Sequence, residues 1–230
     1  VSASASVPPI YLLADSQTLF STGVDRSSIT SMREHAITNT PTAVYVGAAN
    51  GDEPAFYTIF DAAMEAAGVE HRRMIHSAYS DADRAALHGA DIIVLAGGDP
   101  ARGWRVMQDT GMCDDLVARY GDGAILAGVS AGAMLLGVVA ARDDDALPDE
   151  FFDALSLVPY IVDAHDEANE WRRLKRMMAL ATPVHRGIAL PSGSGAIVHP
   201  DLTIEPLRRS VTELSRVGDE ILEVLMLPSV

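Results

Sequence analysis

The sequence predicts an α/β fold: a mostly parallel sheet sandwiched by helices. Three observations carry this. Short apolar runs alternate with helix-length amphipathic stretches over residues 10–140, the pattern of strands joined by crossover helices. Residues 91–96 are almost wholly apolar, as in a strand covered on both faces. The apolar run at 124–127 leads into Gly128-Val129-Ser130-Ala131-Gly132, a G-x-S-x-G pattern at a strand-to-helix turn.

The elements follow in order. Residues 1–8 read as a tail, and 9–230 as a single domain with no linker to divide it. Residues 10–14 form the first strand, 25–37 a helix, and 43–46 a second strand closed by Gly47-Ala48-Ala49-Asn50-Gly51. Helical spacing over 53–67 stops at Gly68, a C-terminal signal. A strand at 69–76 precedes a short helix at 81–87, with Ser80 placed to cap it. Gly97-Gly98-Asp99-Pro100 follows the 91–96 strand, and 101–120 is helical with an interruption near Gly111. The strand at 124–127 delivers Ser130, and 131–140 is helix-capable.

Beyond this point the pattern changes. Residues 142–150 are acidic and loop-like, 155–162 are apolar, and 167–180 read as one helix crowded with Arg172, Arg173, Lys175 and Arg176. Short strands follow at 187–190, 195–199 and 202–205, then an amphipathic segment at 211–227.

Composition narrows the function. The formal net charge of −15 argues against nucleic acid or an anionic membrane as partner, because phosphate binding needs clustered cations. The single Cys113 cannot form an internal disulfide, and no stretch has the length of a membrane span or the charged and apolar regions of a signal peptide. A cytoplasmic location is expected, with a homodimer left open. No metal-type Cys/His cluster and no phosphate loop are present, so neither metal nor cofactor is expected.

Three features can meet at one site. Ser130 is the candidate nucleophile and His165, at the end of an apolar run, the candidate base. A serine hydroxyl is a weak nucleophile until a base takes its proton. The oxyanion that follows needs fixed donors, and the Gly98 and Ala131 amides are the candidates. Arginine suits a substrate carboxylate by its fork geometry, which makes the arginines on the 167–180 helix of interest. The bland alternatives are a glycine-rich turn with an incidental serine, a capping histidine and a solvated helix face.

These residues resemble peptidase family S51, which includes dipeptidase E and cyanophycinase. Gly-Val-Ser-Ala-Gly-Ala at 128–133, preceded by Ala96-Gly97-Gly98-Asp99, carries the resemblance. Gly47-Ala48-Ala49-Asn50-Gly51-Asp52-Glu53 is similar to the family's second-strand loop. Phe152-Asp153-Ala154-Leu155, Val158-Pro159 and Val162-Asp163-Ala164-His165 resemble the segment ending in its catalytic histidine. Arg173-Leu174-Lys175-Arg176 resembles the arginine motif of the cyanophycinase branch, and Gly187-Ile188-Ala189-Leu190 the strand after it.

The resemblance implies a class I glutamine-amidotransferase-like, flavodoxin-like three-layer fold. It also implies hydrolysis of a small peptide or isopeptide through an acyl-enzyme on Ser130, with His165 as base and no metal or cofactor. Known members favour acidic residues. The family's triad glutamate falls at the turn Pro191-Ser192-Gly193-Ser194, so Ser192 stands in its place. Asp166 replaces a common Phe after the histidine, and Asp99 a usual Asn. Asp99, Asp166 and Arg173 are the expected substrate contacts. The alternative reading is a weakened or non-catalytic binding or regulatory member of the same fold. A third, an α/β-hydrolase esterase, shares G-x-S-x-G, but its histidine normally lies far downstream, whereas His165 follows Ser130 by 35 residues.

Overall fold

A computed structural model describes residues 7–20, 28–36, 38–141, 151–181, 186–218 and 220–229. The chain begins β1 (Ile10–Leu13), α1 (Ser28–His35), β2 (Thr42–Val46), α2 (Pro54–Ala66), β3 (His71–Ile75), α3 (Asp81–His88) and β4 (Ile92–Leu95). It continues α4 (Pro100–Thr110), α5 (Met112–Gly121), β5 (Ile125–Val129), α6 (Ala131–Leu136), β6 (Val139–Ala141), β7 (Phe151–Asp153) and β8 (Ile161–Ala164). It ends α7 (Arg172–Leu180), β9 (Arg186–Leu190), β10 (Gly195–Val198), β11 (Ile204–Leu207), β12 (Val211–Val217) and β13 (Glu220–Met226).

The main sheet has the order β11-β10-β1-β5-β4-β2-β3. β1, β5, β4, β2 and β3 run parallel, while β10 and β11 close one edge antiparallel. Side chains alternate across a strand, so each strand feeds two cores. Ile10 and Leu12 of β1 and Leu126 of β5 face one layer. Tyr11 and Leu13 of β1, with Ile125 and Ala127 of β5, face the other. The result is the expected three-layer α/β arrangement with a mostly parallel sheet. Among the described residues no helix is long and apolar enough to cross a membrane.

Local chemistry sets the helix ends. Ser80 and Asp83 form a reciprocal capping box on α3. Pro100 opens α4 behind the Asp99 cap, and Gly111, at φ 76°, separates α4 from α5.

Several expectations need correction. Residues 131–140 are not one helix: α6 stops at Leu136 and the chain turns into β6. At this point a Cβ on Gly137 would lie 2.7 Å from the Tyr160 carbonyl. Residues 167–180 are also broken. A single 3-10 turn (Glu167–Asn169) is followed by Glu170 at φ 54° and Trp171 at φ 60°, and only then by α7. In the apolar segment 155–162, regular structure starts only at Ile161, with β8. Residues 211–227 contain two antiparallel strands turning at Gly218, and β13, β12, β9 and β8 form a second, four-stranded sheet. The acidic stretch 142–150 and the ends of the 25–37 helix, at 25–27 and 37, lie outside the described residues.

Candidate active site

In an open parallel sheet, sites form at the carboxyl ends of the strands. Here those ends carry Asp15 after β1, the 47–53 loop after β2, Gly97-Gly98 after β4 and Ser130 after β5. Ser130 has φ 49° and ψ −110°, backbone torsions that strain a residue with a Cβ. Its amide donates to the Leu13 carbonyl at 2.8 Å, pinning the turn to β1.

Both motif glycines are contact points. A Cβ on Gly128 would lie 2.4 Å from the backbone of Gly132, and a Cβ on Gly132 would lie 2.4 Å from the Leu95 carbonyl. The turn therefore wedges between β4 and the start of α6 only without those side chains. Gly98, at φ 135°, is equally constrained, since its Cβ would meet the Ala49 carbonyl at 2.4 Å. Asp99 donates its amide to that same carbonyl at 3.0 Å. Among the described residues, neither the Gly98 nor the Ala131 amide donates to a turn or loop carbonyl.

His165 directly follows β8, at φ 62°, with its amide donating to the Leu190 carbonyl at 3.2 Å. Its Nδ1 lies 3.1 Å from Ser192 Oγ. The Ser192 amide donates in turn to Glu167 Oε1 at 3.0 Å. Burial opposes charge on Glu167, but hydrogen bonds from its own amide and from Ser192, with the field of His165, hold its carboxyl below the usual range. Arg209 donates to the Ser192 carbonyl at 3.1 Å, and Asp15 accepts from the Gly193 amide at 2.5 Å.

Ser130, His165, Gly97, Gly98 and Asp15 line one cleft of about 210 Å³. No hydrogen bond joins Ser130 to His165; such contacts commonly tighten only when substrate binds.

None of the three expected substrate contacts lines this cleft, and each bonds within the scaffold. Asp99 caps α4 through the Ala101 and Arg102 amides. Asp166 is buried and accepts from Asn169 and from the Arg173 amide. Arg173 turns inward: its Nε donates to Asp163 Oδ1 at 2.9 Å and its Nη2 to the Ala164 carbonyl at 3.0 Å. Asp163 is fully buried, and burial pushes its carboxyl above the usual range against the pull of Arg173.

The sequence does not single out Glu167, Asp15 or the aromatic wall of the cleft. Two signals were available. Asp15 directly follows a parallel strand, and Phe56, Ile59 and Phe60 share one helix face by their i, i+3, i+4 spacing.

The fold and the serine at the end of a central strand define a class, the flavodoxin-like three-layer α/β proteins. Within that class the chain belongs to peptidase family S51, whose model matches residues 12–202. S51 is a serine peptidase family, and membership supports a hydrolase. A peptidase from an acI-B1 Actinobacterium is similar in fold: TM-score 0.72 and 15% identity, covering 97% of this chain and 98% of its own. A putative peptidase E protein from Listeria monocytogenes EGD-e is also similar: TM-score 0.56 and 14% identity, covering 95% and 98%. No curated protein sequence matches the chain.

Removing Arg173 tests its scaffold role. Arg173→Met leaves Asp163 as a buried, uncompensated carboxylate, and the expected cost near neutral pH is about 3–5 kcal/mol. The sign with pH follows from the raised carboxyl. A group whose folded-state pKa lies above its unfolded value favours folding below the unfolded pKa and loses that contribution as pH rises through the folded one. Urea denaturation at several pH values should therefore show the deficit shrinking as pH falls towards the usual carboxylate range and growing above it.

Proposed function

We propose that the protein is a serine peptidase that cleaves a small peptide or isopeptide through an acyl-enzyme on Ser130. One observation carries the reading: a serine on a strained strand-to-helix turn shares a cleft with a histidine whose far nitrogen is already held. With Nδ1 engaged by Ser192, Nε2 of His165 is the nitrogen left to take the Ser130 proton. Oγ then attacks the substrate carbonyl, and the Gly98 and Ala131 amides are the donors available to the oxyanion. The C–N bond breaks, the amine leaves with the proton from His165, and water repeats the sequence on the ester.

Ser192 can orient the imidazole but carries no charge to balance imidazolium. A carboxylate on that side is Glu167, one residue contact further out through Ser192. It acts in this reading as a positioning residue, holding the Ser192 turn and placing a negative charge behind it. The other charges around it are Arg209 at the Ser192 carbonyl, Asp15 at Gly193, and Asp166 on its own segment.

A weakened or non-catalytic member of the family is the second reading, favoured by the open Ser130–His165 gap and the serine in the acid's place. A fluorophosphonate probe separates the two. Wild-type protein should become labelled at Ser130, seen by intact mass and peptide mapping, while Ser130→Ala stays unlabelled. A folded wild type that never labels would leave the second reading in possession.

Glu167→Gln keeps the shape and removes the charge. The labelling rate should fall roughly 10-fold, well short of the about 10⁴ lost when a directly bonded acid is neutralised. Glu167→Asp should recover part of the loss, and a Glu167→Gln variant that labels at the wild-type rate would reduce Glu167 to a loop anchor.

A further inference from the structure

Much of the cleft lining is apolar: Leu19, Tyr45, Phe56, Ile59, Phe60 and Val129 contribute to it beside Ser130 and His165. Among its described lining residues there is no lysine or arginine, and the fixed carboxylate on its rim is Asp15. An acidic side chain entering here would meet hydrocarbon and a like charge, with no lysine or arginine among the described lining residues to pair with, so its desolvation would go largely uncompensated.

Part of this wall is core. Tyr45, Tyr57 and Phe60 pack together, with Tyr45 and Phe60 ring centroids 5.4 Å apart and Tyr57 and Phe60 5.8 Å apart. Burial pushes the Tyr45 hydroxyl up to about 12, so the ring stays neutral, and Asn50 donates to its oxygen at 2.8 Å. Phe56 is different: it is 49% exposed and faces the cleft rather than the core. A large aromatic left half in water in the cleft that holds Ser130 is a binding surface suited to an apolar partner. The cleft's roughly 210 Å³ is several times the share of one water molecule, about 30 Å³, which leaves room for a benzyl group.

Resting on the acyl-enzyme reading above, we infer that this cleft takes an apolar, preferably aromatic, side chain of the residue whose carbonyl Ser130 attacks, and that Asp15 turns acidic side chains away. The substrate class is thus a small peptide with an apolar acyl residue, not an aspartyl one.

Diphenyl phosphonate analogues of phenylalanine, alanine and aspartate test the inference. They react with an activated serine and carry the side chain into the acyl pocket. The phenylalanine analogue should label wild-type protein about 10- to 100-fold faster than the alanine analogue, the scale of discrimination an apolar pocket gives, and the aspartate analogue should be slowest. Phe56→Ala should flatten the preference, and Phe56→Arg, checked for folding by circular dichroism, should shift it towards aspartate. If a simple fluorophosphonate labels Ser130 but the three analogues react alike, or aspartate leads, the pocket assignment is wrong and the serine chemistry stands. If nothing labels, binding decides the inference alone: N-acetylphenylalanine should shift Phe56 and Ile59 signals in NMR spectra and N-acetylaspartate should not, and the reverse order or no shifts would overturn it.

Discussion

Everything at this site depends on a backbone-to-backbone contact that two absent side chains permit. Gly128 and Gly132 let β5 reverse into α6 hard against β4, and any Cβ at either position would overlap main-chain atoms. The turn leaves Ser130 in a conformation that costs on the order of 1–3 kcal/mol. Such strain persists only where the surroundings over-determine it. Here the bond from the Ser130 amide to Leu13 and the buried sheet on both sides supply that constraint. The same closeness brings Gly97 beside the serine, where its Cβ would lie 3.5 Å from that of Ser130. The serine, the glycine loop and the cleft are consequences of one tight turn.

The main sheet was legible because its signals are local. Apolar runs with polar or glycine ends mark β2, β4 and β5, and Ser80 and Gly111 punctuate the helices where they read as punctuation. The second sheet was not legible. Val211, Leu214 and Val217 fall three apart, which suits a helix as well as it suits β12. What decides for a strand is pairing to β9, more than twenty residues away, and a turn at Gly218.

The site divides along a similar line. That Ser130, His165 and Gly98 lie at one cleft was readable because each sits at the end of an element or in a motif. Arg173 is held by Asp163, a carboxylate inside an apolar strand that sequence alone does not show to be fully buried. Asp166 is likewise held, by Asn169 and the first turn of α7. With these charges bonded within the scaffold, the cleft lining is largely aromatic and aliphatic, and Glu167 lies one residue contact from His165, through Ser192.

The central claim is that His165 activates Ser130, although no hydrogen bond joins them at rest. The most direct measurement is the second-order rate of fluorophosphonate modification at Ser130 in wild type and in His165→Gln, with both proteins shown to be folded. A positioned general base contributes about 10²- to 10⁴-fold, so the variant should be at least about 100-fold slower. Equal rates in the two proteins would mean that Ser130 is not served by His165, and the proposed mechanism would fall.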